Sequence, residues 1–281
     1  NNMRSRRNFI YQTTALAVGS LTLPSFIPTQ SVHEDVGVQL YTFRDAMIQD
    51  PKGTLSKVAE LGFKQLESAR SDKGLYYGLT PTEMRDTCKA LGLSIRSGHV
   101  QLDTDWNQTM EQAAEAGQEY VICSSMPTQG QAIDNYLRVA EAFNKAGEDC
   151  KKIGLKFGYH NHSYEFESDK GQVLYDLLLE NTDPSLVHME LDLGWVVMGG
   201  KNPIDYFNQY PGRFPLWHLK DMSILEGGST EFGKGDLNIS EMIENIDLAG
   251  VKYMFMEQEQ YDNNPFDSIR YNLNYLAKLV D

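Results

Sequence analysis

The chain has 281 residues, 41% of them hydrophobic, with 25 basic against 39 acidic side chains and a formal net charge of −14. That length and apolar content can bury one large core, and a single α/β domain of the (β/α)8 type commonly fills such a span. The acidic balance argues against a nucleic-acid partner, because neutralising phosphates needs a basic surface, and it fits a neutral substrate or a cation.

The amino-terminal stretch reads as a segment apart from the core. Met3 has the look of a translation start, Ser5-Arg6-Arg7-Asn8-Phe9-Ile10 resembles a twin-arginine export signal, and an apolar run from Thr13 to Leu23 precedes Pro24 and Pro28. The run is too short for a membrane span. Residues 1–31 are therefore expected to be an export signal and arm, cleaved between Ala17 and Ser31, with residues 32–281 forming a periplasmic catalytic domain and no stable membrane insertion. Cys88, Cys123 and Cys150 form no CxxC pair, and an odd count leaves at least one free thiol. All three are expected on core or helix faces.

From Val36 onward, short β-branched or aromatic runs alternate with longer amphipathic segments, the pattern of a parallel sheet with crossover helices. Strands are predicted at 36–41, 63–67, 94–99, 120–123, 156–160, 187–192, 214–219 and 253–257, and helices at 52–61, 81–91, 107–116, 131–153, 171–180, 203–209, 240–246 and 265–279. Thr80-Pro81 with Glu83, and Asn202-Pro203, look like helix starts. Glycines at 62, 92, 117, 154 and 250 stand where helices stop. Eight such pairs with no composition break favour one closed (β/α)8 barrel over an open doubly wound sheet.

Active sites of such barrels lie at the carboxyl ends of the strands. The last residues of the predicted strands are Gln39 and Tyr41, Glu67, His99, Cys123, His160 and His162, Glu190 and Asp192, His218 and Lys220, then Glu257 and Glu259. Alternate side chains of a strand share a face, so the pairs two apart point together. Several carboxylates and imidazoles aimed into one barrel mouth would repel or stay unsatisfied without a cation. One divalent metal answers that, and mixed ligands of these kinds suit Mn, Zn, Co or Fe.

These residues also carry a resemblance. Val38-Gln39-Leu40-Tyr41-Thr42-Phe43-Arg44-Asp45, Gly62-Phe63-Lys64-Gln65-Leu66-Glu67, His218-Leu219-Lys220-Asp221, Gly233-Lys234-Gly235-Asp236 and Met256-Glu257 resemble the xylose isomerase-like TIM barrel superfamily, in particular proteins labelled sugar phosphate isomerase/epimerase. The similarity runs from about Val36 to the end of the chain. It implies a metal held by a glutamate after the fifth strand, an aspartate after the sixth, a histidine after the seventh and a glutamate after the eighth. Asp192, His218 and Glu257 match the last three positions. At the first, relatives read Glu-Asn where this chain reads His160-Asn161, so the fourth ligand is His160, which keeps a donor at the same strand position, or else His162 or Glu165.

The function expected on this basis is a divalent-metal-dependent carbohydrate isomerase/epimerase that takes a proton from the carbon next to a carbonyl. Glu257 is read as ligand and base together, with Glu67, His99 and His162 as further candidates for proton transfer. Lys220 is expected to steady the oxyanion, with its pKa lowered by the nearby metal. Gln39, Tyr41, His99, Trp195 and Glu259 are read as substrate contacts, while Trp217 has the parity of an outward, helix-packing residue. The same enediolate could instead expel a β-leaving group, giving a 3-keto-glycoside lyase. A third reading is a non-catalytic carbohydrate-binding barrel, and an apurinic endonuclease is opposed by the charge. The expected partner is a small-molecule carbohydrate, and a homo-oligomer is compatible with the sequence. The segments 221–236 and 69–80, the second with Tyr76 and Tyr77, are read either as covers over the substrate or as exposed connections.

Overall fold

The structure, a computed structural model, describes residues 36–262 and 264–280; the expected export signal lies outside them. Eight parallel strands form a closed barrel: β1 (Gly37–Gln39), β2 (Gln65–Ala69), β3 (Ser94–Val100), β4 (Tyr120–Cys123), β5 (Lys156–His160), β6 (Val187–Asp192), β7 (Leu216–Leu219) and β8 (Tyr253–Met256). Each pairs with its neighbours in sequence, and β1 closes on β8 with Val38 opposite Met256. The main crossover helices are α1 (Pro51–Glu60), α2 (Pro81–Ala90), α3 (Trp106–Ala116), α4 (Ile133–Lys152), α5 (Leu174–Asn181), α6 (Pro203–Gln209), α7 (Ile239–Glu244) and α8 (Pro265–Val280). Among the described residues no helix is long and apolar enough to cross a membrane.

The alternation of side chains along each strand builds two apolar zones. The larger one lies between strands and helices, where Trp217 is fully buried and stacks on Phe207 of α6 at 4.9 Å, as its parity predicts. Inside the barrel a smaller cluster of Tyr120, Ile122, Leu216 and Phe255 fills the middle. Below it, at the amino ends of the strands, Glu119 accepts from Lys156 Nζ at 2.8 Å, from Tyr253 Oη at 2.7 Å and from Lys252. The polar side chains above it face the carboxyl rim.

Local chemistry fixes the boundaries. Thr80 caps α2 in a reciprocal box with Glu83 behind Pro81, and Asn202 caps α6 behind Pro203. Gly117 and Gly250 end their helices at φ of 84° and 79°, a region where only glycine is unstrained. The first strand is shorter than expected: Gln39 Oε1 accepts from Tyr41 N at 3.0 Å and turns the chain into a 3-10 helix over Leu40–Phe43, which takes Tyr41 off the strand. Among the elements that were not predicted, two bear on the rim. A short hairpin, Ser168–Asp169 with Gln172–Val173, delays α5, and a six-residue helix, Leu193–Met198, starts directly on Asp192. Cys88, Cys123 and Cys150 are buried and free.

Candidate active site

Strand register brings the polar residues of the rim to one place. His160 on β5 lies opposite Glu190 on β6, and Asp192 on β6 lies opposite His218 on β7. A shift in register between Leu66 and Glu67 pairs Glu67 with Ser97 on β3. Side chains that share the inward face at these positions converge on the barrel axis.

Two overlapping groups result. One ligand atom each from His160, Asp192, His218 and Glu257 lie within 4.8 Å of one another, and so do those of His99, His160, Glu190 and His218. In the first group His160 Nε2 is 3.2 Å from Asp192 Oδ2 and 3.1 Å from His218 Nδ1, which is in turn 2.9 Å from Glu257 Oε2. In the second, His99 Nε2 is 2.8 Å from Glu190 Oε2. Below both, His218 Nε2 is 2.5 Å from Glu67 Oε2. Neither His162 nor Glu165 joins a group. The Glu165 carboxylate instead accepts from Tyr159 Oη at 2.5 Å and from His162 N at 2.9 Å.

Above the first group opens a pocket of about 420 Å³. Eight of the residues singled out from sequence line it: Tyr41, His99, His160, His162, Trp195, Lys220, Glu257 and Glu259. Asp192 and His218 are fully buried beneath. Gln39 and Glu67, expected to touch substrate and to move protons, stand outside this lining; both are fully buried, and Gln39 Nε2 donates to Glu67 Oε2 at 2.9 Å. Arg70 and Asp103 were not singled out, yet Arg70 lines the pocket and pairs with Asp103 at 2.7 Å. The preceding strand gave no sign of this, because Arg70 lies one residue past its end. Of the two segments read as covers, 221–236 carries a hairpin, Asp221–Ser223 with Gly228–Thr230, whose Ser229 Oγ accepts from the backbone of Glu259 at 2.7 Å. In the other, Tyr76 and Tyr77 point inward and are buried, while Ser71 and Asp72 line the pocket.

The electrostatics are those of a crowded, water-poor site. Glu67, Glu190, Asp192 and Glu257 are all buried, and the cations facing them from the protein are Lys220 and, when protonated, the histidines. Burial lifts the Glu190 carboxyl to about 7, and burial with the neighbouring Glu190 lifts that of Glu67. For Asp192 and Glu257 burial acts in the same direction, but Lys220 and His218 outweigh it and hold both well below the usual carboxylate range. Burial pushes His162 down to about 4, assisted by Lys220. Burial acts to lower the Lys220 pKa, but Asp192 at 2.9 Å, Glu257 at 2.6 Å and Glu259 at 2.6 Å hold it well above the ordinary value. Its ammonium also sits 5.2 Å from the Trp195 ring centroid.

This donor set suits a divalent cation. Burial acts to lower the His218 pKa, but Glu190, Glu257 and Glu67 outweigh it and hold it well above the usual imidazole range. A cation held here would take that proton's place, leaving a neutral His218 with its proton on Nε2, facing Glu67, and a lone pair at Nδ1 turned toward the other three donors. Two imidazole nitrogens only 3.1 Å apart with carboxylates on either side are the geometry of ligands around a shared point.

Comparison with known proteins agrees with this architecture. The family profile described as xylose isomerase-like TIM barrel matches residues 55–279. The chain belongs to that family. Two solved structures of a sugar phosphate isomerase/epimerase from Parabacteroides distasonis superpose with TM-scores of 0.77 and 0.78 at 28% and 29% identity, covering 88% of this chain and 95% and 99% of theirs. Among curated relatives, the protein named inosose dehydratase of Geobacillus kaustophilus is 26% identical over 163 residues, 50% of this chain and 52% of its own. That of Clostridium tetani is 34% identical over 149 residues, 46% of this chain and 49% of its own. The chain thus spans about half the length of the curated relatives it matches, and those relatives are enzymes.

Proposed function

We propose that this barrel is a divalent-metal-dependent enzyme that removes the proton next to a carbonyl in a carbohydrate, and that the resulting enediolate expels a β-leaving group, as in a 3-keto-glycoside lyase. The observation that carries the reading is the gathering of His160, Asp192, His218 and Glu257 donors within 4.8 Å under an open polar pocket. A metal bound there would polarise the carbonyl and the adjacent hydroxyl. The residues have roles that follow from position. Lys220 offers an ammonium to the developing oxyanion, Glu257 and His162 line the pocket where a base must stand, and Tyr41, Trp195, His99 and Glu259 would contact the sugar. Displacing water from the pocket on substrate binding would strengthen each of those contacts.

Elimination is preferred to simple return of the proton because relatives at 26% and 34% identity are named as dehydratases, enzymes that expel a leaving group. The isomerase/epimerase remains the second reading, supported by the two Parabacteroides distasonis structures that align over nearly the whole barrel. A phosphorylated substrate is not favoured, since Arg70, the arginine at the pocket, is already paired with Asp103. An exported, periplasmic enzyme, as residues 1–31 suggest, would meet glycosides rather than sugar phosphates.

The deciding experiment is metal analysis of the purified protein followed by incubation with keto-sugars and 3-keto-glycosides in deuterated water. Release of an aglycone supports the lyase, and carbon-bound deuterium without release supports the isomerase or epimerase. Absence of both in every metal form would leave a sugar-binding barrel, whose ligand binding survives mutation of Asp192 or His218.

A further inference from the structure

Beside the active-site pocket lies a second cavity of about 320 Å³, walled by the loops that follow β4 and β5. Both loops leave the carboxyl ends of their strands, so this cavity opens on the same rim as the first. The two share a boundary. Ser124 lines one and Ser125 the other, while His162 lines one and Tyr164 the other, with the His162 and Tyr164 rings stacked at 5.5 Å and 8° between planes.

The chemistry of the second cavity differs from that of the first. Its wall contains no charged side chain: Ser125, Thr128, Gln129, Gln131 and Tyr164 supply hydroxyls, amides and one aromatic ring, with the fully buried Tyr136 behind them. The wall is also fixed in advance. Asn135, 3% exposed, donates to the carbonyls of Gly130 at 2.9 Å and Thr128 at 3.3 Å and accepts from Thr128 Oγ1 at 2.7 Å, which pins the 128–130 turn onto α4. Tyr136 Oη donates to Gln131 Oε1 at 2.9 Å, so the Gln131 amide nitrogen is oriented with its donors to spare. The Gln129 amide has no side-chain hydrogen bond among the described residues. Amide donors and acceptors beside an aromatic ring are what a neutral ring with hydroxyl groups is held by.

We propose that this uncharged cavity is the leaving-group subsite, taking a hydroxyl-bearing ring, a second sugar or a phenol, joined to the sugar in the charged pocket. The inference rests on the lyase reading. In that reaction a base takes the proton on C2, next to the C3 ketone, and the electron pair forms the C1–C2 double bond as the C1–O bond to the leaving group breaks. The departing oxygen gains a proton, so the products are the free alcohol or phenol and a 2-hydroxy enone, with no net oxidation. A leaving group expelled from C1 must have somewhere to sit while the keto-sugar stays over the charged cluster, and the adjoining cavity provides it.

The test compares three 3-keto-β-glucosides, with methyl, glucosyl and hydroxyphenyl leaving groups, on the metal-loaded enzyme and on Ser125→Phe, which fills the cavity, and Gln129→Ala, an exposed change that keeps the fold. Each variant is expected to lower kcat/KM about tenfold for the glucosyl or the hydroxyphenyl substrate, the scale of one or two lost contacts, and to leave the methyl substrate unchanged. A fall confined to one of the two large groups identifies which ring the cavity takes. Equal effects on all three substrates, or none, would overturn the subsite. If the wild type releases nothing even from the methyl substrate, the lyase reading fails by itself. Calorimetric binding of cellobiose against methyl β-glucoside then judges the cavity: a preference for cellobiose abolished by Ser125→Phe sustains a ring-binding subsite, and no preference removes it.

Discussion

A proton decides what Glu67 does. His218 has a carboxylate at each ring nitrogen, Glu67 at 2.5 Å from Nε2 and Glu257 at 2.9 Å from Nδ1, and only one of the two can be served by the donor of a neutral imidazole. Ser97 Oγ donates to Glu67 at 2.6 Å and Gln39 Nε2 at 2.9 Å, so Glu67 is held as an acceptor and draws the His218 proton to Nε2. The lone pair at Nδ1 is then presented to the cluster, the arrangement by which carboxylates orient metal-binding histidines. Glu67→Gln is therefore expected to weaken metal binding about 10–100-fold in a competition titration while the protein stays folded. Unchanged affinity would show that Glu67 does not set the tautomer. His160 tests the same cluster from the other side. His160→Glu installs the glutamate that the family resemblance implies for this position and should retain metal, whereas His160→Ala should lose it. Strand parity placed the four donors among the inward-facing residues of the strand ends, and the family resemblance picked them out of that larger set. The orienting contact could not, since Glu67 and His218 are 151 positions apart and nothing local links them.

At the scale of elements, the loop after β7 shows how a motif becomes a structure. Asp221 is fully buried and its carboxylate accepts from four backbone N–H groups, Met222 at 3.0 Å, Gly233 at 2.8 Å, and Gly235 and Leu237 at 3.1 Å each. The Gly233-Lys234-Gly235-Asp236 run is thereby wrapped around one side chain, and at Gly235 a Cβ would fall 2.3 Å from Asp221 Oδ1 and 2.5 Å from the carbonyl of Met222. Asp221→Ala strands those donors, with an expected stability loss of about 2–4 kcal/mol in urea unfolding and faster proteolysis near the exposed Leu225. Undiminished stability and an unchanged cleavage rate would refute the anchor. Both ends of this loop are legible in the sequence but the hairpin between them is not, because strands of three residues have no periodicity to detect. The overlong first strand has a related origin: Gln39 caps the turn with its own side chain, and an alternating pattern carries no trace of that.

For the whole molecule, the repeating alternation of strands and helices made the eight-stranded closure readable, whereas the polar plug at the amino ends was not, since Glu119, Lys156 and Lys252 look from sequence like solvated residues at strand starts. Closure brings them together across 133 positions between Glu119 and Lys252. Burial acts to raise the Glu119 pKa, but the hydrogen bonds from Lys156, Lys252 and Tyr253 outweigh it and bring the carboxyl down to about 2. A carboxyl whose folded pKa is depressed contributes stability that is present above its unfolded value, near 4.5, and is lost as pH falls through that value toward 2. The Glu119 side chain keeps 29% of its surface in water, so screening reduces the contribution to about 1 kcal/mol at neutral pH. Urea unfolding of the wild type and Glu119→Gln at pH 7, 4 and 3 should show that gap at pH 7, with a progressive narrowing at the two lower values. The buried carboxylates at the opposite rim titrate in both proteins and cancel from the difference. A gap as wide at pH 3 as at pH 7 would mean that the plug stabilises the barrel by packing alone, without its charge.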